Sequence, residues 1–275
     1  MSSDIVLTAG VRANLLQLQS TAATITNTQS KLATGKRVNS ALDNPINFFT
    51  AQGLSNRASD LTNLLDSMST AISTIQAANN GLTSITKLVQ SAQALASQAQ
   101  QTSDSTVRAG LATQYNAIKT QIDQLAGDSG FNGINLLNSS SSANLTVTLN
   151  ETGSSSVTIT AVDFTSGAGL GINNATNNWA DSAAITAAST DLTAALTTLR
   201  SQAQTFGSQL STVQIRQDFT KAMINTLQTG ADSLTLADSN EEGANLLALQ
   251  TRQQLSTTAL SLASQASQAV LRLFQ

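Results

Sequence analysis

The chain has 275 residues, 40% of them apolar and only 11% charged, with no histidine, no cysteine, one proline and one tryptophan. Without His or Cys the usual general base, the thiolate nucleophile and the common transition-metal ligands are missing, which leaves carboxylates and lysines as the only candidate catalysts. A formal net charge of −3, with Lys36-Arg37 as the largest basic cluster, provides no electrostatic footprint for nucleic acid.

The first element reads as a helix from about Asp4, with Val11, Leu15, Leu18, Ala22, Ile25, Gln29 and Leu32 on a 3,4 spacing. It stops near Gly35. Residues 35–45 then gather Gly, Asn, Asp and the only proline into an irregular connector, and Pro45 suits the first turn of the next helix, where a missing N–H costs nothing. The second rod carries Leu54, Ala58, Leu61, Leu65, Met68, Ile72, Ile75, Asn79, Leu82, Thr86 and Val89 and continues weakly through Leu95. Asn79-Asn80-Gly81 is its candidate kink. A third helix opens after Ser103 or Asp104 as N-cap, carries Val107, Leu111, Ile118, Ile122 and Leu125, and ends in Gly127-Asp128-Ser129-Gly130.

The pattern changes after the polar run Ser139 to Ser142. Residues 145–149 and 157–162 alternate with period 2 around Asn150-Glu151-Thr152-Gly153, which predicts a β-hairpin. Gly167, Gly169 and Gly171, with the Asn-rich stretch to Asn178, read as a flexible return loop. As β and loop material between long helical segments, residues 141–177 read as decoration that can be deleted behind a short flexible linker. A long stripe then runs through Leu192, Leu196, Leu199, Ala203, Phe206, Leu210, Val213, Gln217, Thr220, Ile224, Leu227, Ala231 and Leu234. One continuous helix over that run would reach about 65 Å. After a soft break around Asp238 to Gly243, the last helix puts Leu255, Ala259, Leu262, Ala266, Ala269 and Leu273 in register. The fold class is therefore mainly α, with long heptad-patterned helices in the terminal thirds and a small central hairpin.

Local motifs for chemistry are weak. Residues 238–243 imitate the opening of a calcium loop, but its twelfth position is Leu249, where a bidentate carboxylate is required; an acidic helix end is the better reading. The Gly167 to Gly171 run lacks the spacing of a phosphate-binding turn. Met1 to Ile5 shows neither a basic nor an apolar signal region, so a cleaved Sec-type leader is not expected, and no stretch approaches a membrane span. What the sequence does offer is unsatisfied apolar surface at both ends. Val11, Leu15, Leu18, Ile25 and Leu32 on the first helix, and Leu255, Leu262, Val270, Leu273 and Phe274 on the last, are the candidate self-assembly residues. In a lone chain these ends bury too little to offset their ordering entropy, and self-association would supply the partners.

The stretch Lys31-Leu32-Ala33-Thr34-Gly35-Lys36-Arg37-Val38-Asn39-Ser40-Ala41-Leu42-Asp43-Asn44 resembles the N-terminal signature of the bacterial flagellins. Residues 259–271 resemble that family's C-terminal pattern, and Phe131-Asn132-Gly133 with Leu136-Leu137 resembles its motif after the third helix. Only residues 138–180 lack a family signature. The resemblance implies an inner tubular core from residues 1–42 and 240–275, a helical rod from 43–137 and 181–239, and a variable surface segment over 138–180. It implies a subunit that polymerises with copies of itself into an extracellular propeller filament, leaves by type III export with an uncleaved signal, and meets an export chaperone, a cap and hook-associated proteins. No cofactor, metal, nucleic acid or membrane insertion is implied. A hook–filament junction protein, which shares flagellin-like ends, is the closest alternative.

Two departures from the family pattern stand out. Asp43-Asn44-Pro45-Ile46-Asn47 replaces the common Asp-Asp-Ala-Ala-Gly, so the second helix is expected to start differently. Many flagellins also carry Arg-Val-Arg-Glu-Leu-Ala, a stretch read by an innate immune Toll-like receptor; the matching positions here are Ser91-Ala92-Gln93-Ala94-Leu95-Ala96, without its charges.

Overall fold

With its single proline at the start of a helix, the chain has nothing to interrupt helical hydrogen bonding over long runs. The computed structural model describes residues 9–139 and 144–273. They form α1 (Ala9–Thr34), α2 (Pro45–Gln101), α3 (Ser105–Asp128), β1 (Leu145–Thr148), β2 (Ser156–Ile159), a short 3-10 turn (Thr176–Trp179), α4 (Ser182–Thr235) and α5 (Ser239–Leu273). The chain divides into two packed units, Met1–Asn56 with Thr226–Gln275, and Arg57–Asn225.

The larger unit, Arg57–Asn225, holds most of the buried apolar residues. Met68, Ile75, Leu82, Ile85 and Val89 on α2 join Leu111, Tyr115 and Ile122 on α3 and Leu192, Leu199, Phe206 and Val213 on α4 in one core. The α4 stripe read from spacing is the buried face, except for the exposed Ala203. Small residues extend the α2 face past Leu95, with Ala92, Ala96 and Ala99 fully buried. α3 begins as its sequence dictates: the Asp104 side chain accepts from the backbone N–H groups of Thr106 and Val107.

The expected kink at Asn79-Asn80-Gly81 is absent, and α2 runs through it. Gly81 is small for a packing reason: a Cβ there would lie 2.1 Å from Ser129 Oγ and 2.8 Å from Leu137 Cδ1. A Gly81→Ala change gains up to about 1 kcal/mol of helix propensity but forces this contact apart, and overpacking typically costs 1–3 kcal/mol. We expect a net loss of about 1 kcal/mol, read as a lower urea midpoint; an unchanged or raised midpoint would show that the contact yields freely.

The hairpin forms in the predicted region, with Leu145 opposite Ile159 and Val147 opposite Val157. It is not decoration. Leu145, Val147, Leu149, Ile159, Ala161, Phe164, Leu170 and Ile172 are buried in the same core as the helices. Backbone bonds from Val162 N to Leu136 O and from Phe164 N to Leu137 O fix its exit. The return loop is not flexible either, because one face of α3 ties it down. Tyr115 Oη donates to Asn173 O at 3.1 Å, Lys119 Nζ to Asn174 Oδ1 at 2.6 Å, and Ala175 N to Asn116 Oδ1 at 3.0 Å, while Asp123 accepts from Ser166 N and Oγ. Burial draws the Lys119 amine below the ordinary lysine range, with Asp123 opposing that shift. Gly169 is required by close approach, since a Cβ there would lie 2.0 Å from Asp163 O. Asn177, Asn178 and Trp179 all adopt positive φ, a costly run of conformations for L-residues. The buried indole of Trp179, tilted against Tyr115 with ring centroids 4.8 Å apart, offsets that cost.

Candidate assembly surface

The smaller unit pairs α1 with α5. Along α1 the covered positions are Val11, Asn14, Leu18, Thr21, Ala22, Ile25, Thr28, Lys31 and Leu32. The 3,4 rule placed Val11, Leu18, Ile25 and Leu32 correctly, seven residues apart. Of its intermediates Ala22 is half-buried too, whereas Leu15 and Gln29 are exposed and the structure adds Asn14, Thr21 and Thr28. A threonine can be covered there because its hydroxyl satisfies itself within the helix, as Thr21 Oγ1 does on Gln17 O at 2.8 Å. Along α5 the half-buried positions are Leu246, Leu249, Gln253, Ser256, Leu260 and Ala263, again on a 3,4 spacing.

The predicted assembly residues therefore separate into two sets. Val11, Leu18, Ile25 and Leu32 lie on the covered face within the chain. Leu15, Leu255 and Leu262 stay outside it, the last two 67% and 61% exposed. Val270 and Leu273 fall on the last turns of α5, and their side chains, with Phe274, lie outside the described residues. Leu16, part of the wide apolar face expected of the first helix, is exposed as well, and sequence spacing missed Leu247; both widen the exposed set. The available signal was a second apolar set, Leu247, Leu255 and Leu262, which about 100° of rotation per residue places on the side of α5 away from the covered positions. This unit buries few large apolar side chains, chiefly Ile25, Val38 and Leu227, while Leu15, Leu16, Leu236, Leu247, Leu255 and Leu262 face solvent. Paired helices with a thin, partly polar seam and an apolar outer face are an interface without its second half.

The connector is more built than its composition suggested. Gly35 ends α1 at φ +67, the left-handed conformation that favours glycine at a helix end. Arg37 N donates to Thr235 O at 2.8 Å and Ala237 N to Gly35 O at 3.0 Å, so the segments after α1 and after α4 zip together. Lys31 Nζ reaches Glu242 Oε1 at 3.0 Å. The acidic cluster is the start of α5: Asp238 accepts from Asn240 N and Glu241 N, and Glu241 and Glu242 occupy the first turn, where the helix dipole favours negative charge. No grouping that could hold a metal ion occurs among the described residues. Pro45 opens α2 as expected, with Asn44 Oδ1 accepting from Asn47 N.

Asp43 holds the turn before α2. Its Oδ2 accepts from Ser40 N and Asn39 N, both at 2.9 Å, and those amides hold the carboxyl below its ordinary value of 3.8. Because the folded value is depressed, the turn keeps its full contribution at neutral pH and loses it as pH falls below the ordinary value and through the lowered one. Amide resonances of Asn39 and Ser40 should titrate together in that acid range and stop doing so in Asp43→Asn. Insensitive amides in the native chain would remove Asp43 from this role.

The stretch matching the receptor-read motif lies on α2, with Ser91 and Ala94 exposed and Gln93 and Leu95 half-buried. The exposed groups there are a hydroxyl, already spent on Lys87 O, and a methyl.

Comparison with known proteins gives these helices a family. The bacterial flagellin N-terminal helical region matches residues 8–142 and the flagellin C-terminal helical region matches 189–274. Among curated relatives, Flagellin FljM of Caulobacter vibrioides is 31% identical over 268 residues, covering 97% of each chain. Flagellin FljN of the same organism is 32% identical over the same span and coverage. A crystal structure of Bacillus cereus flagellin, 26% identical, aligns with 57% of this chain and 88% of its own at a TM-score of 0.49. The two matched regions take in α1 to α3 on one side and most of α4 with α5 on the other, and the chain belongs to the bacterial flagellin family, the structural subunits of the flagellar filament.

Proposed function

We propose that the chain polymerises lengthwise through the outer face of the α1/α5 unit, with Leu15, Leu16, Leu247, Leu255 and Leu262 covered by the same unit of neighbouring copies. Val11, Leu18, Ile25 and Leu32 act one step earlier, by holding α1 on α5. Val270, Leu273 and Phe274, whose side chains lie outside the described residues, are assigned to the same self-assembly set from the sequence alone. The observation that carries this reading is the contrast between units: the Arg57–Asn225 unit has an extensive core of its own, while the other leaves more of its large apolar side chains outside than it buries. The role is mechanical, and no residue is assigned to catalysis.

Export by the flagellar type III route, in company with an export chaperone, and capping by cap and hook-associated proteins at the filament ends complete the proposal. Purified protein seeded with filament fragments should grow into long filaments by negative-stain imaging. Short, terminating assemblies that form only with a second protein would instead support the hook–filament junction role.

We further propose weak recognition by the Toll-like receptor that reads flagellins, because Ser91, Gln93, Ala94 and Leu95 offer it no charged group. Truncating one side of a desolvated charge pair typically costs about 2–5 kcal/mol. Reporter-cell titration of monomer should need at least about tenfold more protein than a flagellin with the charged stretch, and Ser91→Arg, Gln93→Arg, Ala94→Glu should recover activity. Equal potency of the native chain would contradict this.

A further inference from the structure

Beyond the long outer stripe of α5, two compact apolar patches lack cover. The first is built on the connector: Leu42, 96% exposed, with Ile46 and Phe49 on the first turns of α2. It is rigid rather than frayed. The Asp43 carboxylate pins Asn39 and Ser40, Asn44 caps the helix, and Phe48 braces Phe49 edge to face at 5.5 Å. A preformed turn that holds three large apolar side chains in water has already met the ordering cost of binding. The second patch is Ile215 and Phe219, one turn apart on α4 and both exposed.

Their charges are complementary. Asp43 is the only charged residue between 38 and 56, and Arg216 the only one between 201 and 217. Asp218 beside Phe219 is paired with Lys221 at 3.5 Å, whereas Arg216 has no ion pair among the described residues. A helical polymer requires a heterologous contact, in which one surface of a subunit meets a different surface of the next. The Leu247, Leu255 and Leu262 set suits lengthwise helix packing, whereas the two compact patches, each beside a lone charge of opposite sign, match each other.

We propose that in the polymer the Leu42, Ile46 and Phe49 patch of one subunit packs on Ile215 and Phe219 of a second copy, with Asp43 set against Arg216. The contact rests on the self-assembly reading above and names a second pair of surfaces for it. Leu42→Ser and Phe219→Ser each remove exposed side chains that the lone chain does not use. Each should leave the monomer's helix content and melting unchanged and raise the critical concentration for assembly roughly ten- to hundredfold.

The chain has no native cysteine, so thiol cross-linking identifies the pair directly. Filaments of the double variant Ile46→Cys, Phe219→Cys, treated with a short bismaleimide, should give a covalent ladder extending past the dimer. A copolymer of the two single variants should stop at the dimer, and each single variant alone should stay monomeric. Filaments that form normally without a ladder, or a ladder from Ile46→Cys, Leu255→Cys in its place, would overturn the pairing and leave polymerisation standing. Failure of the native chain to form any filament would overturn both readings.

Discussion

Deleting residues 141–177 behind a short flexible linker is expected to unfold the Arg57–Asn225 unit rather than trim its surface. The deletion removes Leu145, Val147, Leu149, Ile159, Phe164, Leu170 and Ile172, all buried with the helices. At about 1.5–3 kcal/mol for each large apolar side chain buried, the loss is of order 10 kcal/mol even after allowing for a compact unfolded state. That equals the whole stability of a typical domain. It would also uncover the α3 face that now receives the loop, including the half-spent Lys119 and Asp123. The deleted chain should lose its cooperative thermal transition by circular dichroism, and the single change Phe164→Ala should cost about 3–5 kcal/mol in urea. A deletion that melts like the native chain would restore the reading of this segment as decoration.

Removing Leu260 to Gln275 is expected to have the opposite signature: assembly is lost and the larger unit is untouched. The core of Arg57–Asn225 contains none of these residues. The truncation takes away Leu262 from the exposed stripe and Leu260 from the face covered by α1. Local units of a chain unfold with their own free energies, so stability and polymerisation should separate. The truncated protein should keep the main melting transition of the native monomer and yield no sedimentable filaments after seeding. Long filaments from it would place the essential contacts elsewhere.

Periodicity made the helices legible because it reports which face is covered, and in α4 that face is covered within the chain. The stripe from Leu192 to Leu234 was therefore readable almost residue by residue. In α5 the same rule selected Leu255 and Leu262, which face solvent, since the helix carries apolar residues on two sides and spacing alone does not say which one its own chain covers. In α1 it erred at Thr21 and Thr28, where a hydroxyl bonded within the helix behaves as a small apolar group. Gly81 and Gly169 were read as a kink and a flexible loop because sequence shows a missing side chain but not the neighbour occupying its space, Ser129 in one case and the Asp163 carbonyl in the other. The hairpin was legible as strands and misread in role, because alternation of period 2 reveals one buried face without naming what buries it. The connector patch was invisible for a related reason: Leu42, Ile46 and Phe49 sit among Gly, Asn and Pro, where no period applies.

The claim that the outer face of α5 is covered by other copies is tested most directly by thiol accessibility in a chain without native cysteine. Leu262→Cys should react with a soluble maleimide rapidly in the monomer and at least about a hundred times more slowly in the filament, as expected for a local opening that costs about 3 kcal/mol. Thr158→Cys, on an exposed position of β2 outside every surface assigned to assembly, calibrates reagent access in both states. Equal reactivity of Leu262→Cys in monomer and filament would contradict the account.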